Sequence, residues 1–318
     1  MEKTPGGAAE GMVLMNRILL IFNPAAGISK RKPRAAQIAD LFAAQKCGVT
    51  VMETEKRNDA EEFAAHSARN YDLVVCCGGD GTLNEVITGM MRAGCRKPIG
   101  YLPAGTTNDM ARTLRLPSNV KKAAKLVLAE KPVPQDIGLF NGERYFTYIA
   151  SFGAFTRVSY ATPQWLKNRL GHFAYVLDGI RSVGEIRPYR AEVAHDGVKE
   201  NGEYIFGSIS NSSSIGGVLH LDPSELSLND GAFEVLLIRN APNLVEFQKI
   251  LHDLKHRNFR NPYLAFFHTG CLRLTFEEET DWTLDGEYAG KQREVEIQNL
   301  HGAVSIIRKT KQPGGTET

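Results

Sequence analysis

Between Arg17 and about Asp136, short apolar runs alternate with stretches of helical spacing, and this alternation restricts the fold more than any other feature of the 318-residue chain. RILLIF, VTVMET, DLVVCC and PIGYLP have the length of buried strands. Helical patterns lie near Arg34 to Gln45 and Ala60 to Arg69, and Leu83, Val86, Ile87 and Met90 recur at the spacing of one helix face. Strand and helix in strict alternation imply a parallel sheet with helices on both faces. After Asp136 the texture changes. RYFTYIAS, YRAEVAHDG, EYIFGSISN, GAFEVLLIR, CLRLTF and REVEIQ are strand-like and bounded by Gly, Asn and Asp, with helical stretches near Pro163 to Val183 and Leu244 to Lys255. That half reads as an antiparallel β-sandwich or barrel with helical insertions. KPVP at 131–134 breaks any helix and marks the boundary. The expected organisation is a loose tail at 1–15, an α/β domain at 16–134, a β-sandwich domain at 135–310 whose last segment can pack back on the first, and a loose tail at 311–318.

Composition narrows the function classes. Hydrophobic residues at 42% supply sizeable cores, and a net charge of +2 argues against a nucleic-acid binder, which needs a strongly basic face. It also predicts no strong bulk attraction to an anionic membrane, although a local basic patch can act alone. The five cysteines, Cys47, Cys76, Cys77, Cys95 and Cys271, form no CxxC pair, and an odd count without a secretory signal points to a reducing cytoplasm. No apolar run approaches the roughly 20 residues of a spanning helix.

The chemistry concentrates in loops that follow strands. CCGGDGTLNE at 76–85 is strand, glycine loop, helix. It lacks the lysine of a Walker loop and the last glycine of a dinucleotide fingerprint. A helix start offers N–H groups to an anion, yet Asp80 would repel that anion unless a cation lay between them. Mg²⁺ held by carboxylates and substrate phosphates resolves the conflict, so the loop points to an Mg-nucleotide. Thr82 and Glu85 have capping-box spacing, which gives Glu85 a plain capping role as an alternative. PAGTTND at 103–109 follows the fourth strand and places Thr106 and Asp109 on the same sheet edge as Asp80, with an N-cap as the alternative for Asp109. NPAAG at 23–27 follows the first strand and precedes Lys30, Arg31, Lys32 and Arg34, cations whose place before a helix suits a phosphate neighbour.

Together, NPAAG, GGDGTLNEV and PAGTTND resemble the diacylglycerol kinase catalytic-domain family, which includes bacterial lipid kinases and the sphingosine and ceramide kinases. NRLGHFAYVLDGI at 168–180, the paired glycines and late DG of 210–235, and LDGE at 284–287 are similar to its second half, so the resemblance runs from Arg17 to Ile307. It implies an α/β nucleotide-binding domain plus a β-sandwich, with ATP between them. It places ATP on Asn23, Pro24, Ala25, Ala26, Gly27, Thr54, Gly79, Asp80, Gly81, Thr82, Leu83, Asn84, Glu85 and Thr106. It implies a metal or metal–water network at Asp80 and Asp109, and a structural Mg²⁺ held by Asp230 with the carbonyls of Ser227 and Ala232. For Asp230–Gly231 an ordinary hairpin turn is the competing reading. Ile28 departs from the family, where a basic residue often stands.

The expected reaction is transfer of the ATP γ-phosphate to a lipid hydroxyl, with diacylglycerol as first choice and Mg²⁺ as cofactor. The protein would be cytoplasmic and transiently at the inner face of the membrane, with Trp165, Leu166, Lys167, Arg169 and Leu170 as a candidate contact patch. Leu166, Leu170, Phe173, Leu177 and Ile180 follow a helical stripe for which core packing is the favoured reading, which leaves Trp165 and the basic residues as the better surface candidates. A homodimer stays open. Asp285 is the expected base and Glu287 its partner, with the roles exchangeable. That assignment supposes that Ala289–Gly290–Lys291 is the hairpin turn, which would leave Asp285 and Gly286 in a strand where both are disfavoured. The rival functions are an NAD kinase, which also uses GGDGT, and a nucleotide-binding regulator without catalysis.

Overall fold

The structure is a computed structural model and describes residues 16–27, 34–153, 187–212, 214–215, 219–220 and 227–310. The contact patch at 165–170, the helix at 163–183, Ile28 and the cations Lys30, Arg31 and Lys32 lie outside the described residues.

The first half runs β1 (Arg17–Phe22), α1 (Ala35–Ala43), β2 (Gly48–Glu53), α2 (Asp59–Ser67), β3 (Leu73–Gly78), α3 (Asp80–Arg92), β4 (Ile99–Pro103), α4 (Asp109–Thr113) and α5 (Val120–Ala129). Strands β2, β1, β3 and β4 pair in parallel in that order. Strand β3 is buried throughout and β1 from Ile18 onward, as their unbroken apolar runs require of strands covered on both faces. Strand β2 is an edge and mostly exposed. The chain steps one way from β1 to β2 and the other way from β2 to β3, so right-handed crossovers put α1 on one face and α2 and α3 on the other. Helix α5 packs on β4 and against α1, while α2 packs against α3. The loops after β1, β3 and β4 therefore open together at the carboxyl edge, beside the point where the strand order reverses.

The second half contributes β5 (Pro132–Phe140), β6 (Arg144–Phe146), β7 (Ile149–Gly153), β8 (Tyr189–His195), β9 (Val198–Ser210), the short pair β10 (Ser214–Ile215) and β11 (Leu219–His220), β12 (Phe233–Arg239), α6 (Leu244–Lys255), β13 (Leu264–Thr269), β14 (Cys271–Leu284) and β15 (Glu287–Ile307). Its pairs are antiparallel. Long strands β9 and β14 each pair with both β7 and β8, so these four strands close on one another. The closed layer encloses an aromatic core in which Phe140, Phe152, Phe276 and Trp282 meet, with Phe152 and Phe276 centroids 4.9 Å apart. Helix α6 covers a second apolar face through Phe247, Ile250 and Leu254.

Among the described residues, beside the small β10–β11 pair, one 13-stranded sheet, mostly antiparallel, passes through both halves. Strand β15 joins them: it pairs with β14 in the sandwich, with β5 along its length, and in parallel with β4 at Ile306 and Ile99. KPVP is accordingly the start of β5. Its prolines lack N–H donors and sit where β5 has no partner on its other side, since β6 pairs only with residues 138–140.

Candidate active site

The three loops at the carboxyl edge lock together through glycines. Gly27 has φ +72°, and a Cβ there would lie 2.3 Å from the Ala104 carbonyl oxygen. A Cβ on Gly105 would lie 2.6 Å from Gly79 Cα. Asn108 clamps its loop from both ends, accepting from Gly105 N–H and donating to Gly105 O, each at 2.9 Å. Asn23 ties the loop after β1 to the segment after β3: its amide donates to Thr82 Oγ1 at 2.9 Å, and its Oδ1 accepts from Ala25 N–H at 2.9 Å. Thr54 is buried at the end of β2 and donates from its backbone to Phe22 O. Thr106 is exposed at the loop tip.

Helix α3 starts one turn earlier than the capping-box spacing implies. Gly79 is the N-cap and Asp80 the first helical residue, so Thr82 lies inside the helix and no capping box forms. Glu85 instead caps the neighbouring helix, accepting from Asn58 N–H at 3.1 Å before α2. Burial raises its pKa, against the lowering effect of the amide bonds. Leu83 is wholly buried in the core, so its side chain faces no ligand.

Asp80 caps α4. Its Oδ2 accepts from Asp109 N–H at 2.8 Å and its Oδ1 from Met110 N–H at 3.0 Å. Burial pushes its pKa up to about 6, with the two amides opposing and the Asp109 and Asp285 carboxylates adding to the rise. Asp109 is not the N-cap, which is Asn108 in the left-handed region; its side chain pairs with Arg112 at 3.2 Å.

The carboxylates of LDGE sit in a hairpin turn, which corrects the sequence expectation. Leu284 pairs with Glu287, and Asp285 and Gly286 have φ +50° and +79°, the two positive values of a type I′ turn. Gly290, the expected turn, is a bulge opposite Trp282, where the β14–β15 register shifts. Asp285 therefore owes nothing to a disfavoured strand position; its contacts distinguish it. Oδ1 accepts from Tyr148 and Ile149 N–H, and Oδ2 from Thr147 N–H, Thr147 Oγ1 and Asn84 Nδ2, five donors at 2.7–3.1 Å. Burial raises its pKa, and the hydrogen bonds oppose that rise. Asn84 thus serves the hairpin: its amide also reaches the Tyr145 carbonyl at 3.3 Å.

Glu287 is half-exposed and forms an ion pair with Arg57 at the start of α2. A Cβ on Gly81 would lie 3.6 Å from Glu287 Oε1. The hairpin thus meets the start of α3 across a cleft of about 450 Å³, lined by Arg57, Asn58, Gly81, Asn84, Glu85, Arg144, Asp285 and Glu287 among others. Residues read as nucleotide contacts and residues read as catalytic share its walls.

Ser227, Asp230 and Ala232 lie apart, in the turn before β12, where Asp230 Oδ1 accepts from Ala232 N–H at 3.1 Å. That turn is anchored by Asp136, a residue not singled out from the sequence. Its buried carboxylate accepts from Gly231 and Gly302 N–H, each at 2.7 Å, and His301 Nδ1 lies 3.1 Å away. An aspartate inside the apolar run of β5 was the available signal. Arg57 and Thr147 were also missed and had none. The donors at Asp80, Asp109 and Asp230 are hard oxygens, as Mg²⁺ requires; Asp80 Oδ2 keeps a free lone pair after its one amide bond, while Oδ1 also accepts from the Tyr101 hydroxyl at 3.4 Å.

Residues 17–140 match the diacylglycerol kinase catalytic domain, and residues 149–308 match the YegS C-terminal NAD kinase beta sandwich-like domain. The diacylglycerol kinase of Bacillus subtilis (strain 168) is 33% identical over 296 residues, covering 92% of this chain and 96% of the relative. That of Staphylococcus saprophyticus is 32% identical over 283 residues, covering 87% and 91%. A solved structure from Bacillus anthracis str. Sterne, assigned as a diacylglycerol kinase, superposes with a TM-score of 0.77 at 25% identity, covering 93% of this chain and 98% of that one.

Proposed function

The chain belongs to the diacylglycerol kinase family and is a lipid kinase, and from that premise we propose that it transfers the ATP γ-phosphate to the free hydroxyl of diacylglycerol in an Mg²⁺-dependent reaction. The observation that carries this reading is the meeting of the LDGE hairpin with the start of α3 across one cleft. Phosphoryl transfer depends on positioning and charge neutralisation, and the glycine-locked loops are rigid platforms for the phosphates. Asp80 and Asp109 would hold Mg²⁺, which when bound neutralises phosphate charge. Ser227, Asp230 and Ala232 would hold a second ion with a structural role.

In the reaction the acceptor oxygen bonds the γ-phosphorus as the bond from that phosphorus to the β–γ bridging oxygen breaks, and ADP leaves. The acceptor proton passes to a carboxylate. Geometry favours Glu287 for this step over Asp285. A carboxylate offers about four lone-pair sites, and the five donors on Asp285 fill them. Among the described residues Glu287 is held only by an exposed ion pair, which opens at little cost. Asp285 then fixes the hairpin and Glu287 takes the proton. No described helix is long and apolar enough to cross a membrane, and we place the enzyme in the cytoplasm with transient contact at the inner membrane face.

The test is γ-phosphate transfer from ATP with a panel of lipid alcohols, with NAD⁺ and with no acceptor, read by mass spectrometry. Phosphatidic acid formed only with diacylglycerol and Mg²⁺ is expected. Phosphorylation of NAD⁺ alone would establish the rival kinase, and nucleotide binding without turnover the regulator.

A further inference from the structure

Both helices on the α1/α5 face begin at the carboxyl edge of the sheet, where the site lies, and both begin with cations. Arg34 is the N-cap of α1, and Lys121 and Lys122 occupy the first turn of α5. Neither first turn holds an acid. The opposite face is the reverse: the first turn of α2 carries Asp59, Glu61 and Glu62, and that of α3 carries Asp80.

The fold gains nothing from the α5 lysines. A helix start carries partial positive charge, so Lys121 and Lys122 oppose the α5 dipole. Lys125 adds to the cost, because it stands four residues from Lys121 and three from Lys122, where like charges repel. All three are exposed, and none has an ion-pair partner among the described residues. Arg112 and Arg115, also exposed, precede them. Residues 109–129 thus hold five cations against the single acid Asp109, a net +4 inside a chain whose total is only +2. The patch is also tied to the site, since α4 is fixed by the bonds of Asp109 and Met110 to Asp80.

We propose that this α4–α5 surface docks the enzyme on an anionic phospholipid bilayer. The inference rests on the acceptor being a lipid: its hydroxyl lies at headgroup level, so the catalytic edge must be brought to the surface. A bilayer carrying phosphate charge supplies the counter-charge that the fold withholds from these lysines. Each lysine beside such a surface contributes about fivefold in affinity, so removing all three lowers binding by about 100-fold. The attraction fades as salt shortens the screening length to about 10 Å at 0.1 M.

The experiment compares wild type with K121E/K122E/K125E by sedimentation with vesicles of phosphatidylglycerol and phosphatidylcholine, and with vesicles of phosphatidylcholine alone. The substitutions put acids at the start of α5, which favours the helix, so thermal unfolding should be unchanged or slightly raised. Wild type should bind the anionic vesicles in a salt-sensitive way and the neutral ones weakly; the variant should lose about two orders of magnitude on the anionic vesicles. The kcat on a short-chain diacylglycerol dissolved as monomers should not change. Equal binding of both proteins, or equal binding of wild type to both vesicle types, overturns the proposal. So does retention by duplex DNA that the same substitutions abolish while vesicles are ignored. Vesicle binding lost in the variant, with no lipid phosphorylated by wild type, would support the docking surface and sink the proposed reaction.

Discussion

Asp285 is a half-buried residue whose carboxylate accepts from five donors, and this sets both its chemistry and its effect on stability. Its folded pKa lies above the ordinary aspartate value because burial outweighs the hydrogen bonds. A carboxyl whose folded pKa is raised contributes stability that is fully present below its unfolded pKa and is lost as pH rises through the folded one. Wild type should therefore lose Tm relative to Asp285→Asn as pH climbs from about 4. Paired melting curves across that range check this, and a difference that stayed flat or moved toward wild type would contradict it. At this scale the sequence was only half legible. LDGE is readable as a motif, but the partners of Asp285 come from β7, the residues before it and α3, up to 201 positions away. Asn84 sits in GGDGTLNE and so read as a nucleotide contact. Its helix face was nevertheless readable, because Gly81, Asn84, Glu85, Thr88 and Arg92 recur at helical spacing and line the cleft together.

Among the elements, the loops after β1, β3 and β4 were the most legible, since each motif pairs glycines with a preceding apolar strand. What the motifs could not show is that the glycines serve one another. Gly105→Ala would place a methyl 2.6 Å from Gly79 Cα and 2.7 Å from Asn108 Oδ1, and backbone on one side cannot yield. The substitution should cost about 1–3 kcal/mol and weaken ATP binding at least as much as it weakens turnover. Calorimetric titration with ATP checks it, and wild-type affinity would show that the loops do not form one platform. The hairpin was misread for a physical reason. Two Gly-containing sites four residues apart could each turn the chain, and only the pairing of Leu284 with Glu287 decides between them. Helix α5 carries its apolar stripe on Val120, Ala123, Ala124 and Val127, but its lysine-rich opening lacks the acids that signal a helix start.

For the molecule as a whole, β15 decides whether the halves are separable. Ala303, Val304, Ile306 and Ile307 belong to the core of the first half, although they lie near the end of the sequence. Such long-range pairing leaves no local signal beyond an apolar run; the sequence allowed the last segment to pack back on the first half but could not show that it joins one sheet with it. A fragment of residues 16–134 lacks those side chains and exposes the β4 edge. It should show no cooperative thermal transition, while the full chain unfolds in one; a sharp transition in the fragment, followed by circular dichroism, would contradict this. The proposed reaction requires a phosphate to pass across the cleft between α3 and the hairpin. The most direct measurement is the rate of phosphatidic acid formation from ATP and diacylglycerol by wild type, Glu287→Gln and Asp285→Asn, each checked for folding. Wild type should turn over, and Glu287→Gln should lose roughly 10²–10⁴ in kcat with its Tm and ATP affinity unchanged. Asp285→Asn should lose both rate and stability. A Glu287→Gln enzyme with wild-type kcat, or a wild type that phosphorylates no lipid, would contradict the assignment.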